Sequence, residues 1–358
     1  MTRLAGARER AIQTGIPIIE CDLDRKSISP GNFFAKVVQY RRILNREKPD
    51  IAFAVSLKPI VTLAFARLFG RRVPILNAFT GLGISFVGAA QTFRLRIIRF
   101  LLRVCFSLLL SQREVYCLFQ NDEDRDLFVR NGWVSCKRSF TIPGAGVDLG
   151  LFKAKTWARS SPINFLFCGR LLWEKGIGFL VEASELLRAR GLSFNVLVAG
   201  LMDQTNPSSV PLYYIEKHAS SGAIRWLGAR DDIPHLLNQV DCFVFQSVYR
   251  EGVPKVLLEA CAAGIPVITT NVVGCRDVVS HEFNGLLVRP RDTHALACAM
   301  ERVIREREKL PVWGGNARTK AEQNYDVQEV IRKHIEILKQ IAREQGLVYH
   351  SASPRVSS

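Results

Sequence analysis

Two glutamates eight positions apart give the strongest chemical signal in this sequence. Glu251 falls in a predicted loop after a strand, and Glu259 falls in the second turn of the helix that follows. Gly252, Val253 and Pro254 lie between them, at a helix N-terminus where exposed N–H groups and the helix dipole favour an anion. Carboxylates accept hydrogen bonds from sugar hydroxyls and N–H groups donate to phosphate oxygens, so the block suits a nucleotide-sugar. The alternative is a surface loop with Glu259 merely exposed on a helix.

A second block carries two cations at another predicted strand end. Gly169 follows this strand, and a glycine there lets the backbone approach a ligand closely. Arg170 could engage a diphosphate through its guanidinium fork, and Lys175 could do so as a point charge. The alternative is a pair of solvated cations near a helix start. Because cations at a helix N-terminus oppose its dipole, the pattern favours a ligand-binding task.

A third block, residues 264–279, flanks a buried strand with glycines and is mainly architectural. Within it, only the turn of Gly274, Cys275 and Arg276 is a candidate ligand contact.

The elements that must position these blocks alternate regularly in the carboxyl half. Short apolar runs predict strands at residues 163–168, 194–200, 224–227, 242–245 and 266–270. Segments with helical periodicity separate these runs. This alternation predicts βαβ units and a parallel sheet with helices on both faces. Such sheets bind ligands at the carboxyl ends of their strands, where the two charged blocks fall.

The amino half contains a second, less regular α/β unit. The sequence predicts helices at residues 34–46 and 59–68, and it predicts strands at residues 16–21, 50–55, 73–78 and 116–120. We therefore expect an amino-terminal domain at 1–150, a second domain at 151–327, a helix at 328–345 that packs back toward the first domain, and a disordered tail at 346–358.

The net charge of +16 is unevenly distributed. Between Asp50 and Glu114 there is no acidic residue, although Lys58 and eight arginines fall there. Such a surface implies an anionic partner: nucleic acid, anionic lipid headgroups or phosphorylated substrates.

Composition narrows the class of protein further. The 358 residues are 48% hydrophobic, which is typical of a globular chain of two domains. No apolar run reaches the ~18 residues that a membrane-spanning helix needs, and the start has no apolar signal core. The 9 cysteines are scattered without a C-x-x-C pair, so a metal site or a disulfide framework is not expected. Reduced thiols in a cytoplasmic protein fit better.

The sequence resembles the GT-B glycosyltransferases of family GT4 in three blocks that occur in the same order: Arg170/Lys175, Glu251/Glu259 and residues 264–267. The resemblance is most specific over residues 165–292. Further matches to a subgroup that builds capsule, O-antigen and lipid-linked oligosaccharides lie at residues 56–59, 80–83, 119–121, 144–148 and 200–207. The resemblance implies two Rossmann-like, doubly wound parallel-sheet domains that face a cleft. It also implies retaining transfer of a hexose or N-acetylhexosamine from a UDP-sugar to a sugar on undecaprenyl diphosphate, without a cofactor or metal.

The resemblance implies a role for each matching residue. Arg170 and Lys175 would neutralise the donor diphosphate as it leaves. Glu259 would hold the ribose hydroxyls, and Glu251 would contact the hydroxyls of the transferred sugar. A cationic pair can replace a divalent ion at a leaving diphosphate, which agrees with metal independence.

The same resemblance places the uracil pocket at residues 227–230, with Ala229 and Arg230 among its lining. No Asp-x-Asp element falls at the donor site, since residues 122–124, which have that form, are predicted to start a helix in the first domain.

The acceptor would bind to the first domain. Lys58 and the loop with Thr80, Gly81 and Gly83 follow predicted strands, and a lipid diphosphate would suit the lysine and the backbone N–H groups. The alternatives are a solvated lysine and an ordinary tight turn.

Residues 93–110 alternate arginines with apolar residues, so this segment could lie on an anionic membrane. The alternative is an amphipathic helix packed on the sheet. With the expected acceptor, the pattern favours peripheral association with the cytoplasmic face of the inner membrane.

The sequence departs from the family pattern in two places. The opening strand, glycine-rich loop, long helix and second strand of related transferases are absent, so roughly ~40 residues, one βαβ unit, are expected to be missing. None of the 6 histidines falls in residues 1–150, where some relatives place one beside the transferred sugar. We therefore expect attack from the face on which the diphosphate leaves, with the leaving phosphate taking the acceptor proton.

Three other functions remain open. One is a non-hydrolysing nucleotide-sugar 2-epimerase of the GT-B fold, which would need no acceptor. Another is a basic protein that binds a membrane or nucleic acid, although no aromatic–basic platform or nucleic-acid motif is found. The third is a donor-binding fragment that truncation has made inactive.

Overall fold

The computed structural model describes residues 18–19, 30–82, 93–157, 162–203 and 206–347. These residues form two parallel sheets with helices packed against them. The predicted α/β class, with two parallel-sheet domains, is confirmed.

The first sheet has four described strands in the order β1-β2-β3-β4. Their bounds are β1 (Ala52–Val55), β2 (Ile75–Phe79), β3 (Val115–Phe119) and β4 (Ser139–Thr141). Every position of β2 and β3 is buried, as central strands covered on both faces require.

Helices cover both faces of this sheet. Four of them are α1 (Pro30–Glu47), α2 (Leu57–Leu68), α3 (Phe93–Leu109) and α4 (Asp122–Arg130). One core cluster joins apolar side chains of these four helices to Ile75 and Phe79 of β2. On the opposite face, the last helix of the chain brings Val330, Ile337 and Ile341 against Leu76 and Leu118.

The second sheet has six described strands in the order β10-β9-β8-β5-β6-β7. Their bounds are β5 (Ile163–Cys168), β6 (Phe194–Ala199), β7 (Arg225–Trp226), β8 (Cys242–Phe245), β9 (Val267–Thr270) and β10 (Gly285–Val288). The strand order reverses at β5, which pairs with β6 on one side and with β8 on the other. Such a switch point opens a crevice at the carboxyl ends of the two strands.

The helices of this domain separate the strands in sequence. They are α5 (Ile177–Ala189), α6 (Leu212–Ser220), α7 (Ile233–Asn238), α8 (Lys255–Ala262), α9 (Cys275–Val278), α10 (Thr293–Arg305) and α11 (Leu310–Asn324). Short 3-10 turns lie at Cys136–Arg138, Trp173–Lys175 and Arg307–Lys309.

The chain passes between the domains twice, and the two passages are hydrogen-bonded to each other. Val147 N donates to Tyr325 O at 2.8 Å, and Val327 N donates to Val147 O at 3.1 Å. Asp326 then caps the final helix, α12 (Val327–Glu344), by accepting a hydrogen bond from Gln328 N at 3.0 Å. The connection between the domains is therefore a paired crossing and not a single linker.

Some predicted elements shift in position. The helix predicted at residues 59–68 begins at Leu57, so Lys58 lies in its first turn. Of the strand predicted at residues 16–21, only Ile18 and Ile19 are described, and neither lies in a strand. The rest of that prediction, and the predicted tail from residue 348 onward, lie outside the described residues. Within the described part of the chain, no helix has the length and apolar character to cross a membrane.

Candidate active site

The crevice at the switch point holds a partly buried ion pair. Lys175 follows β5 and Glu251 follows the neighbouring β8, and Lys175 Nζ lies 2.5 Å from Glu251 Oε1. Ser247 Oγ donates to the same carboxylate oxygen at 2.6 Å. The side chains of Lys175 and Glu251 are only 18% and 21% exposed. A cation and a carboxylate are therefore held together beyond the carboxyl ends of β5 and β8.

Local backbone contacts fix the position of Lys175. It ends the 3-10 turn Trp173–Lys175, and Gly176 follows with φ of 82°. A Cβ on Gly176 would lie 2.0 Å from Gln246 O, so only glycine allows this loop to press onto the end of β8. Val248 N also donates to Glu174 O at 3.0 Å. The loops after β5 and β8 are thus joined next to the ion pair.

Arg170 pairs with a different residue. Its side chain is 56% exposed, and its Nη1 lies 3.6 Å from Asp203 Oδ2 in the loop after β6. The structure therefore brings Lys175 and Glu251 together and places Arg170 beside an acidic residue that the sequence pattern had not singled out.

The loop after Glu251 makes close contact with the first domain. Val253 N donates to Gln120 Oε1 at 2.8 Å, so the first domain occupies one of the N–H groups proposed for the donor. Gly252 packs so tightly that an added Cβ would lie 2.0 Å from Gln120 Oε1. Pro254 is the N-cap residue of α8, which begins at Lys255.

Glu259 lies in the second turn of α8 with its side chain 13% exposed. Burial raises the pKa of this carboxyl, and Lys255, whose Nζ is 3.5 Å away, opposes the shift. Burial raises the pKa of Cys168 to about 12, and the negative charge of Glu259 contributes to this rise. The Glu259 carboxylate therefore lies near Cys168, at the end of β5. A largely enclosed carboxylate of this kind is suited to accept hydrogen bonds from hydroxyls.

The proposed uracil-pocket residues follow β7. Gly200 N donates to Gly228 O at 2.8 Å, and a Cβ on Gly200 would lie 1.9 Å from Gly169 O. The loops after β5, β6 and β7 therefore adjoin one another. Arg230 turns toward its own loop, where its Nη2 lies 2.5 Å from Asp232 Oδ2, and Ala229 precedes it.

The predicted acceptor residues lie at the carboxyl edge of the first sheet. Lys58 and Thr80 are exposed, and Thr80 Oγ1 lies 3.5 Å from Ser56 Oγ. Gly81 contacts the loop of Glu251 and Gly252. Gly83 lies outside the described residues.

Helix α12 brings a histidine to this half of the molecule. His334 lines an apolar cavity of about 350 Å³ together with Thr80, Gln120 and Gly144, and its Nδ1 lies 2.8 Å from Val330 O. Residues 1–150 hold no histidine, but the packing of α12 supplies one to the same domain, which position in sequence alone could not reveal.

Sequence reasoning also missed the side chains that join the two domains. Residues 122–124 do start a helix, with Asn121 Oδ1 accepting from Asp124 N at 2.7 Å, as predicted. The carboxylate of Asp124, however, pairs with Arg250, the residue immediately before Glu251. Within the described residues, no group of three or more His, Cys, Asp and Glu side chains is arranged to hold a metal ion.

Two parallel-sheet domains that meet at their carboxyl edges define the GT-B class of proteins. Residues 152–320 match the family model described as "Glycosyl transferases group 1", and residues 3–113 match "Glycosyl transferase 4-like". The chain is a glycosyltransferase of the GT-B fold and belongs to the GT4 type.

Curated relatives agree with this assignment. The chain is 25% identical over 344 residues to the N,N'-diacetylbacillosaminyl-diphospho-undecaprenol alpha-1,3-N-acetylgalactosaminyltransferase of Campylobacter jejuni, covering 92% of this chain and 87% of the relative. It is 26% identical to the UDP-Gal:alpha-D-GlcNAc-diphosphoundecaprenol alpha-1,3-galactosyltransferase of Escherichia coli, covering 83% and 77%.

Solved structures show the same fold. A glycosyltransferase from Rickettsia africae superposes with a TM-score of 0.73 at 18% identity, covering 95% of this chain and 89% of that one. Anabaena HepE in complex with UDP-glucose superposes with a TM-score of 0.69 at 20% identity, with the same coverage.

Proposed function

We propose that this enzyme transfers a hexose or N-acetylhexosamine from a UDP-sugar to a sugar on a polyprenyl diphosphate, with retention of configuration and without a metal ion. The observation that carries the proposal is the Lys175–Glu251 ion pair, which lies in the switch-point crevice where the Thr80–Gly81 loop of the first domain meets the second. Both curated relatives are named for sugars on undecaprenyl diphosphate, and the E. coli enzyme is also named for a UDP-sugar.

The donor site follows from the positions of the charged groups. The diphosphate would bind between Arg170 and Lys175, whose charges stabilise it as it leaves. When Lys175, the cation paired with Glu251, also contacts the phosphate, Glu251 accepts hydrogen bonds from the hydroxyls of the transferred sugar. The enclosed Glu259 accepts them from the ribose. Two cations at the leaving group perform the task that a divalent ion performs in other transferases.

The surroundings of Glu251 favour attack from the leaving-group face. Its Oε1 accepts hydrogen bonds from Lys175 and Ser247. A carboxylate oxygen engaged in this way is better suited to orient a sugar than to attack its C1 atom. In the proposed step, the C1–O bond to UDP breaks with its electron pair while the acceptor oxygen bonds to C1. The acceptor proton passes to the leaving phosphate oxygen.

The acceptor would reach the site from a membrane surface. On α3, five apolar side chains at helical spacing are exposed: Ile97, Phe100, Leu101, Val104 and Leu108. Arg96 and Arg103 are exposed on the same helix. An apolar stripe beside arginines suits the headgroup region of an anionic bilayer. We therefore propose peripheral membrane association through α3.

Transfer assays with matched controls test this proposal. The enzyme is offered UDP-glucose, UDP-galactose and their N-acetylated forms, with polyprenyl-diphosphate sugars as acceptors. We expect one donor to be used, an α-linked product by NMR, and full activity in EDTA. A His334→Gln variant is expected to turn over at the wild-type rate, because the leaving phosphate takes the proton.

Several outcomes would contradict the proposal. A β-linked product would exclude retention, and loss of activity in EDTA would exclude metal independence. A covalent sugar on Glu251 that forms and decays at the turnover rate would exclude same-face attack. Donor isomerisation without an acceptor would identify an epimerase.

A further inference from the structure

Two arginines beside the donor-site loop form ion pairs with the first domain. Arg250 Nε lies 2.6 Å from Asp124 Oδ1, and Arg250 Nη1 lies 3.1 Å from Glu123 Oε1. Arg276 Nη2 pairs with the other oxygen of the Glu123 carboxylate. One acidic helix start in the first domain therefore binds two arginines of the second.

These arginines flank the loop that carries Glu251. Arg250 immediately precedes Glu251. Arg276 lies two residues after Gly274, on which an added Cβ would lie 1.6 Å from Gly252 O. The Gln120–Val253 hydrogen bond attaches the same loop to the same part of the first domain. The inter-domain contacts thus converge on the residues that surround Glu251.

Asp124 is the enclosed member of the two acidic partners. Asp124 has a side chain only 2% exposed, and its second carboxylate oxygen accepts a hydrogen bond from Asn121 Nδ2 at 3.0 Å. Its position in the first turn of α4 is also favoured by the helix dipole. Removing one partner of such an enclosed pair leaves an uncompensated charge, so the Arg250–Asp124 pair is sensitive to the loss of either member.

We propose that Glu123, Asp124, Arg250 and Arg276 form an inter-domain clamp that positions Glu251, so that the sugar is oriented for transfer only while the domains are closed. The four are positioning residues, and the inference rests on the proposed transferase function. Donor contacts by Arg170, Lys175 and Glu259 belong to the second domain alone, so the clamp affects turnover more than binding of UDP.

The test compares Arg250→Met, Arg276→Met, Glu123→Gln and the Glu123→Gln/Arg276→Met double variant with wild type. Arg190→Met is the matched control, because Arg190 pairs with Glu301 at 3.1 Å within the second domain. Arg250→Lys keeps the charge and should recover part of the lost rate. The readouts are kcat, KM for each substrate, UDP affinity by calorimetry and radius of gyration by small-angle scattering.

We expect each clamp variant to lose about tenfold or more in kcat, since small displacements of positioned groups are costly, while UDP affinity changes less than about twofold. The double variant should be no slower than the worse single variant, because the ion pair that Arg276→Met removes is already lost in Glu123→Gln. The radius of gyration should rise in the clamp variants and stay constant in Arg190→Met.

Two outcomes overturn the clamp: kcat within about twofold of wild type in both Arg250→Met and Arg276→Met, or independent effects that multiply in the double variant. If the wild-type enzyme transfers no sugar at all, the proposed function fails. The radius of gyration from small-angle scattering then still tests whether the clamp holds the domains closed. Variants with the wild-type radius of gyration would then refute it.

Discussion

Gly81 of the first domain and Gly252 of the second meet backbone to backbone. A Cβ on Gly81 would lie 2.5 Å from Gly252 N, and a Cβ on Gly252 would lie 2.5 Å from Thr80 O. Neither distance leaves room for a side chain, and both contacts involve main chain that cannot rotate away. The closed arrangement of the two domains at this loop therefore depends on glycine at both positions.

We predict that Gly81→Ala lowers kcat by about tenfold or more, because the added methyl group separates the loop of Glu251 from the first domain. Gly132→Ala is the matched control. Gly132 also has a positive φ, 69°, but a Cβ there would meet nothing within 4 Å. Steady-state kinetics and thermal melting of both variants check the prediction. Equal losses of activity in the two variants would attribute the effect to backbone strain alone.

Lys175→Met is expected to reduce kcat by about 100-fold, the usual effect of removing one electrostatic contact to developing charge. Lys175→Arg keeps the charge but changes its geometry and should retain more activity. Transfer rates at saturating donor check this. Because Lys175 also neutralises Glu251, a Lys175→Met/Glu251→Gln variant should melt at a higher temperature than Lys175→Met. An unchanged rate in Lys175→Met would remove the residue from the catalytic assignment.

Glu259→Gln should weaken UDP binding by about tenfold or more, as expected for loss of hydrogen bonds to a charged group. The same change should raise the melting temperature of the ligand-free enzyme at pH 7. Burial raises the pKa of Glu259, so the folded state disfavours the ionised form that the unfolded chain adopts above its ordinary pKa of about 4.3. The gain in stability should therefore disappear as the pH falls below that value.

Calorimetry with UDP and melting curves at several pH values separate these two effects. Glu216→Gln, which alters an exposed glutamate on α6, is the control and should change neither. A Glu259→Gln variant that binds UDP like wild type would show that this carboxylate does not hold the ribose.

Changing Phe100 and Leu108 together to serine should reduce binding to anionic vesicles by about tenfold or more, since burial of each side chain contributes about 1.5–3 kcal/mol. Both side chains are 66% exposed, so the fold should tolerate the change. Leu186→Ser, on the exposed surface of the second domain, is the control. Co-sedimentation with vesicles of phosphatidylglycerol checks the prediction. Equal binding by both variants would show that α3 does not face the membrane.

The sequence was sufficient to predict the fold class and the glycosyltransferase family. Alternation of apolar runs and helical segments is a local pattern, and parallel strands bring their carboxyl ends to one edge. Lys175 and Glu251, 76 positions apart, could therefore be assigned to one site from the strand ends that precede them. The donor, acceptor and membrane roles remain predictions that the assays above address.

Contacts between the domains could not be predicted in this way. Arg250 and Asp124 are 126 positions apart and belong to different domains, so their pairing depends on how the two domains are oriented. His334 joins the first domain only because α12 crosses back to it. Local periodicity contains no information on either arrangement.

The return of α12 to the first sheet also determines the order in which the two domains can complete folding during synthesis. Leu76, Tyr116 and Leu118 receive their covering side chains from the last helix. At a synthesis rate of about 5–20 residues per second, roughly 10–40 s separate translation of Ile142 from that of Val327. During this interval the second domain can fold while one apolar face of the first stays open to solvent or to a chaperone. The domain made first is therefore the last to be completed.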